Sequence, residues 1–210
     1  MANEGANAGA REGVRARRRA ETRTALLREA RALFAARGYG AVGLSEVVRA
    51  AGVTKGALYH HFDGKAALFR AVLEQVQQEV AERVAQRAEE RSGAWGQLTA
   101  GCAAFLDASA DPEVQRVMLV DGPAVLGWNE WRALDEATSA RHLSEALAEA
   151  IEAGEIPRQP VAPLASLLSG AMNETALWLA SSERSEDLAD ARAALARLLE
   201  GLRSPAGSGR

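Results

Sequence analysis

At 210 residues, with 48% hydrophobic and 25% charged, the chain is a soluble globular protein of one large domain or a small domain plus a larger one. No run approaches the roughly 18 apolar residues of a membrane span, the N-terminus lacks a signal peptide's apolar core, and the lone Cys102 excludes an intrachain disulfide or a cysteine metal cluster. The net charge of -3 hides a split, since residues 1–62 carry 11 Lys+Arg against 5 Asp+Glu and residues 63–210 carry 14 against 23; nucleic acid is expected to meet only the basic front.

Residues 1–20 join Ala, Gly and Asn to Arg15, Arg17, Arg18 and Arg19 without a hydrophobic period. They read as a flexible basic arm, either following a DNA groove or phosphates or simply solvated. A helix is predicted over about 22–37, with Leu26, Leu27, Ala30, Leu33 and Phe34 inward and Gly38 as its stop. Tyr39 and Val42 then plug the core of a small domain. From Leu44 to Phe62 the spacing predicts a helix, a turn at Gly52 and a second short helix capped by Thr54. Leu58 and Phe62 face inward while Lys55, Tyr59 and His60 point out, the pattern of a helix-turn-helix with its second helix presented to DNA.

The run Ala51-Gly-Val-Thr-Lys-Gly-Ala-Leu-Tyr-His-His-Phe-Asp-Gly-Lys-Ala-Ala-Leu-Phe69 resembles the DNA-binding signature of the TetR (tetracycline-repressor) family, over about residues 22 to 70. The resemblance implies an all-α homodimeric transcription regulator, with three N-terminal helices on double-stranded operator DNA. A larger C-terminal part would dimerise and bind a small-molecule effector. It also marks Tyr59 and His60 as phosphate binders, with His61 ranked below them. Gly43 stands where the family commonly has Ser or Thr, so that hydroxyl's phosphate contact does not carry over.

Lys55 and Lys65 are the only lysines, and both lie in this motif. Lys65 falls in the first turn of the next helix, where the helix dipole repels a cation unless a phosphate sits there. Lys55 reaches a base edge or a phosphate, and Gly56 lets a DNA backbone approach or is simply tolerated. Thr54, Lys55, Gly56, Tyr59, His60 and Lys65 are therefore the candidate DNA contacts.

Further helices are expected at about 63–91, capped by Asp63, then 95–108, 112–118, a turn at Asp121-Gly-Pro123, and 127–153, 162–181 and 185–202: about nine in all. The domain reading is an arm at 1–20, the helix-turn-helix domain at 21–66, a ligand-binding and dimerisation domain at 67–203, and a tail at 204–210. The last two helices carry apolar residues on more than one face, among them Leu164, Leu168, Ala171, Leu188, Ala191, Leu195 and Leu198. Either the body's own helices bury them or, as the resemblance implies, a second copy does.

Candidate ligand-pocket walls are Trp95, Cys102, Phe105, Met118, Trp128, Trp131, Met172 and Trp178, with Asp121, His142 and Asn173 as orienting polar groups. The bland alternative makes several of these aromatics plain core. Neither cofactor nor metal nor membrane partner is expected, and a cytoplasmic location is the default. Two other functions stand against the ligand-released repressor. One is a DNA-binding repressor without a ligand. The other is an all-helical enzyme, for which no HExxH, Walker loop, nucleophile elbow or zinc spacing speaks.

Overall fold

The computed structural model describes residues 3–182 and 184–203, with side chains placed from Gly13 onward. The described residues form α1 (Asn3–Ala41), α2 (Leu44–Ala50), α3 (Lys55–Tyr59), α4 (Lys65–Glu89), α5 (Ala94–Ser109), α6 (Pro112–Val114), a π-helical segment (Gln115–Asp121), α7 (Gly122–Leu126), α8 (Trp128–Glu136), α9 (Ser139–Glu152), α10 (Val161–Ala180) and α11 (Asp187–Glu200). The fold is all-α, and taking Pro112–Leu126 as one rod gives ten helices among these residues. None of the described helices is long and apolar enough to cross a membrane. The chain divides into two compact units, Met1–Val72 and Leu73–Arg210.

The first unit packs on an apolar centre supplied by four helices. Leu26, Leu27, Ala30 and Phe34 of α1 are buried together with Val47, Leu58, Leu68 and Phe69. The Phe69 ring meets Phe34 edge-on at 5.4 Å and Tyr39 at 5.2 Å, contacts worth about 0.5–1.5 kcal/mol each beyond area burial. Gly38, with φ of 77°, breaks α1 where the sequence predicts its stop. Arg37 then fastens the corner. Its guanidinium donates to Glu46 Oε1 at 2.7 Å and to the Ala41 carbonyl at 2.9 Å. That bond, with the Gly43 amide, holds the Glu46 carboxyl below its usual range.

Residues 3–20, expected as a flexible arm, are instead helical and continuous with α1. Ala, Arg and Glu are strong helix formers, and an Arg17–Glu21 pair at 3.6 Å adds an i,i+4 tie. Residues 13–20 are all exposed, and an exposed helix needs no hydrophobic period, so spacing does not reveal it. The expected tail at 204–210 lies outside the described residues.

In the second unit α9 packs on α5 and α10, and α11 on α5. Two expectations change here. The predicted turn at Asp121-Gly-Pro123 stays helical, with a π-helical run into Gly122 and Pro123 in the first turn of α7, where its missing N–H costs nothing. The Trp131 indole N–H donates to the Met118 carbonyl at 2.7 Å. Its ring lies so close to Gly122 that a Cβ there would fall 2.8 Å from Trp131 Cδ1. The second change is that the predicted helix over 127–153 is two, α8 and α9. Thr138 Oγ1 donates to the Leu134 and Asp135 carbonyls at 3.0 and 3.3 Å, a side-chain bond that competes with helix continuation.

Candidate nucleic-acid interface and buried cavity

The helix-turn-helix is built from local bonds. Glu46 Oε2 accepts the Gly43 amide at 3.2 Å and the Glu46 amide donates to the Gly43 carbonyl at 3.0 Å, which starts α2 without a hydroxyl cap. Gly52, at φ 65°, reverses the chain after Ala51. Thr54 Oγ1 accepts the Ala57 amide at 3.1 Å and opens α3. Leu58 is fully buried, while Thr54, Lys55, Gly56, Tyr59 and His60 are exposed. One face of a five-residue helix therefore anchors it and the other is free to meet a partner. A Cβ at Gly56 would meet only Thr54 Oγ1, at 3.9 Å, so nothing within the chain demands glycine there.

Lys65 is the first residue of α4, with the Leu68 amide bonded to the Gly64 carbonyl at 3.1 Å. Asp63, expected as the cap, therefore stands one residue before the cap position, which Gly64 occupies. Lys65 Nζ sits 4.1 Å from the centre of the Tyr39 ring, which holds the ammonium over an aromatic face.

The structure adds basic residues that the motif did not supply. Arg15, Arg19 and Arg23 repeat every fourth position along α1, on one face. Arg18, Arg19, Thr22, Ala57, His60 and His61 line a groove beside α3, and Arg15, Arg19, Arg23 and His61 line a second one next to it. Burial, then the charges of Arg19, Arg23 and His60, push the His61 imidazole below its usual range. The helical spacing of these arginines was readable in the sequence once the arm is taken as helix.

Inside the second unit lies a cavity of about 70 Å³. Of the sequence candidates, Cys102, Phe105, His142 and Met172 line it. The others lie elsewhere. Trp95 stacks under the Arg203 guanidinium at 5.1 Å, and Met118 and Trp131 are buried against each other through the indole bond. Asp121 is 3.8 Å from Arg116. Trp128 is 63% exposed and Trp178 49% exposed, and Asn173 is half-buried on α10 outside the cavity lining. Residue type marked these tryptophans as wall material, but burial depends on which face of each helix turns inward.

What sequence reasoning missed is the polar end of the cavity. Asp135, Ser139 and Ser169 line it, from three different helices. Arg132 Nη1 donates to Asp135 Oδ2 at 3.2 Å and to Ser169 Oγ at 3.1 Å, and its Nε to Glu136 Oε1 at 3.3 Å. Burial pushes the Asp135 carboxyl up to about 6, against the pull of Arg132. His142 Nδ1 is sealed from solvent without a hydrogen-bond partner. Burial also pushes the Cys102 thiol up to about 12, which keeps it neutral and a poor nucleophile.

The last two helices sort the dimer candidates. Leu164, Leu168 and Ala191 are buried in the chain's own core, so they are not free to line a contact with another copy. Periodicity finds an apolar stripe but not what covers it. Ala171 and Leu198 are exposed, and Leu188 and Leu195 are half-buried. The larger exposed apolar groups are Leu167 at 72%, Trp178 at 49% and Leu198 at 48%.

Residues 26–72 match the model of bacterial regulatory proteins, tetR family, and residues 95–202 match the tetracyclin repressor-like C-terminal domain. The transposon Tn10 TetC protein of Escherichia coli is 27% identical over 149 residues, covering 71% of this chain and 75% of that protein. The transcriptional regulator SrpR of Pseudomonas putida is 29% identical over 142 residues, 65% of this chain and 64% of its own length. A solved TetR-family transcriptional regulator from Pectobacterium atrosepticum is 35% identical, with a TM-score of 0.74, covering 90% of this chain and 97% of that one.

Proposed function

The chain belongs to the TetR family of bacterial transcription regulators, and from that premise we propose that it is a homodimeric repressor which leaves its operator when a small molecule fills the cavity. Regulators of this family bind DNA through the helix-turn-helix and are not enzymes. In this reading residues 21–66 bind DNA and residues 67–203 dimerise and bind the effector, in the cytoplasm where the DNA is. Lys55, Tyr59 and His60 reach bases and phosphates from α3, Thr54 and Gly56 bring the backbone close, and Lys65 takes a phosphate at the start of α4. Leu167, Trp178 and Leu198 are the apolar groups that a second copy would cover.

The observation that supports this reading most is α4. It is one unbroken helix whose first residue is Lys65 and whose last turns, at Val84, Ala85 and Ala88, form part of the cavity wall. A ligand that shifts this wall shifts the helix that carries a DNA contact. Two recognition helices must lie about 34–36 Å apart to enter successive major grooves, so a small tilt suffices to lose one set of contacts. The coupling is reciprocal and typically about 1–3 kcal/mol. A repressor without an effector remains the alternative; a cavity with Asp135, Ser139 and Ser169 in its wall speaks against it.

The test is operator binding at several salt concentrations, with sedimentation of the free protein. Lys65→Ala is expected to weaken specific and nonspecific binding alike and to reduce the log–log salt slope by about 0.9, one phosphate's share. Wild type is expected to sediment as a dimer, and Leu198→Glu as a monomer that no longer binds a full operator tightly. An unchanged slope in folded Lys65→Ala removes that contact, and a monomeric wild type removes the dimer.

A further inference from the structure

Resting on the cavity as the effector site, we propose that its ligand is a compact uncharged molecule, about one substituted ring in size, carrying a hydrogen-bond donor that meets Asp135 and His142. Size comes first. The cavity offers about 70 Å³, and one water needs about 10–15 Å³ on that measure, so roughly five water-sized groups fit. A single ring approaches that limit, and a long acyl chain exceeds it. Val84, Leu98, Phe105, Leu143 and Met172 make most of the wall apolar, which favours a hydrocarbon body.

The polar end sets the rest. Asp135 is 4% exposed, and Arg132 behind it balances its charge. Arg132 is not part of the cavity lining, and its Nη1 and Nε donors serve Asp135, Ser169 and Glu136. An anionic ligand would therefore meet the carboxylate with no guanidinium or ammonium in the cavity wall to pair with, an unfavourable like-charge contact at low dielectric. A cationic ligand would give up its hydration to share a carboxylate that Arg132 already holds. A neutral donor incurs neither cost. The carboxylate has about four acceptor sites, more than Arg132 and Ser169 occupy. The imidazole of His142 lines the same cavity and adds a second polar group to its wall.

Four one-ring probes separate these features on the 210-residue protein, namely phenol, toluene, benzoate and benzylammonium. Binding is read by calorimetry, and operator release in parallel by fluorescence anisotropy of labelled DNA. Phenol is expected to bind at least tenfold tighter than each of the other three. His142→Phe keeps a ring in place of the imidazole and is expected to shrink the phenol-over-toluene preference to threefold or less with toluene affinity unchanged. Ala146→Leu, which fills the cavity from α9, is expected to weaken phenol and toluene alike, and it keeps the site testable should His142→Phe not fold. Equal binding of toluene overturns the donor, and benzoate or benzylammonium binding as tightly as phenol overturns the neutral charge. No binding by any of the four overturns the ligand class as a whole. Phenol that binds as expected yet leaves operator affinity unchanged refutes the effector reading alone, while the ligand class stands.

Discussion

The two units keep their functional groups on opposite sides of their packing. In the first, the candidate contacts stand on the surface, and the centre beneath them is apolar, with Leu26, Phe34, Leu58, Leu68 and Phe69 fully buried. In the second, the polar groups of interest are inside. Gln77, Ser109 and His142 have buried side-chain atoms without a partner, and Asp135 is buried beside a cavity. A surface site leaves the core free to pack for stability alone. An internal site takes space and hydrogen bonds out of the core, because a void lacks contact partners and an unpaired buried polar atom costs about 1–3 kcal/mol. Stability and function should therefore separate in the first unit and be tied together in the second.

The largest effect that tests this is in the first unit. Leu58→Ala removes a fully buried side chain from α3 and touches no candidate DNA contact. It should cost about 2–5 kcal/mol of unfolding free energy, measured by urea denaturation followed by circular dichroism. Tyr59→Ala, one residue on and half exposed, should weaken operator binding while leaving that stability within about 0.5 kcal/mol. If Tyr59→Ala unfolds the unit, or Leu58→Ala leaves its stability unchanged, the division between outside and inside fails there.

The second unit should behave the other way at Asp135. Its carboxyl titrates near 3.8 when exposed and is pushed to about 6 in the fold by burial. Between those values the folded protein keeps a proton that the unfolded chain releases, so the stability from this group is full below pH 4. It is lost as pH rises to about 6 and stays lost above. The displacement corresponds to roughly 3 kcal/mol. Asp135→Asn cannot lose that proton, so its stability relative to wild type should rise between pH 4 and pH 7. Urea midpoints at pH 4, 5, 6 and 7 give the two curves. Parallel curves would mean that Asp135 is not held in a medium that disfavours its charge. The same variant alters the cavity's polar end, so ligand affinity should change with stability.

The same contrast explains what could be read from the chain. The turn at Gly52, the Thr54 cap and the inward Leu58 obey rules that act within a few residues, so spacing alone places them. The cavity's polar end depends on partners far apart in sequence. Arg132 reaches Ser169 across 37 positions, and elsewhere in the second unit Gln115 Nε2 reaches the Ala176 carbonyl at 3.3 Å across 61. No local period announces such pairs. Helix rotation was equally hidden: Leu164 and Leu168 turn inward while Leu167, between them, is 72% exposed. The helix over residues 3–20 escaped for the opposite reason, since propensity supports it while residues 13–20 stay exposed.

The smallest expected effect bears on where the ligand sits. Trp128 is one of four tryptophans expected as pocket walls, yet it is 63% exposed and leans on Trp131 at 5.1 Å. It does not line the cavity. The exposed ring covers little surface and the tilted stack adds a modest term, so Trp128→Ala should cost less than about 1 kcal/mol. It removes one of four tryptophans, all of them beyond residue 72, so the intrinsic fluorescence should fall. Ligand affinity by calorimetry should stay within a factor of two of wild type, because no ring edge of Trp128 reaches the site. An internal site is indifferent to a side chain on the surface. If Trp128→Ala instead weakens a ligand tenfold, about 1.4 kcal/mol at 25 °C, the binding surface extends to α8's outer face and the second unit works from the outside as the first does.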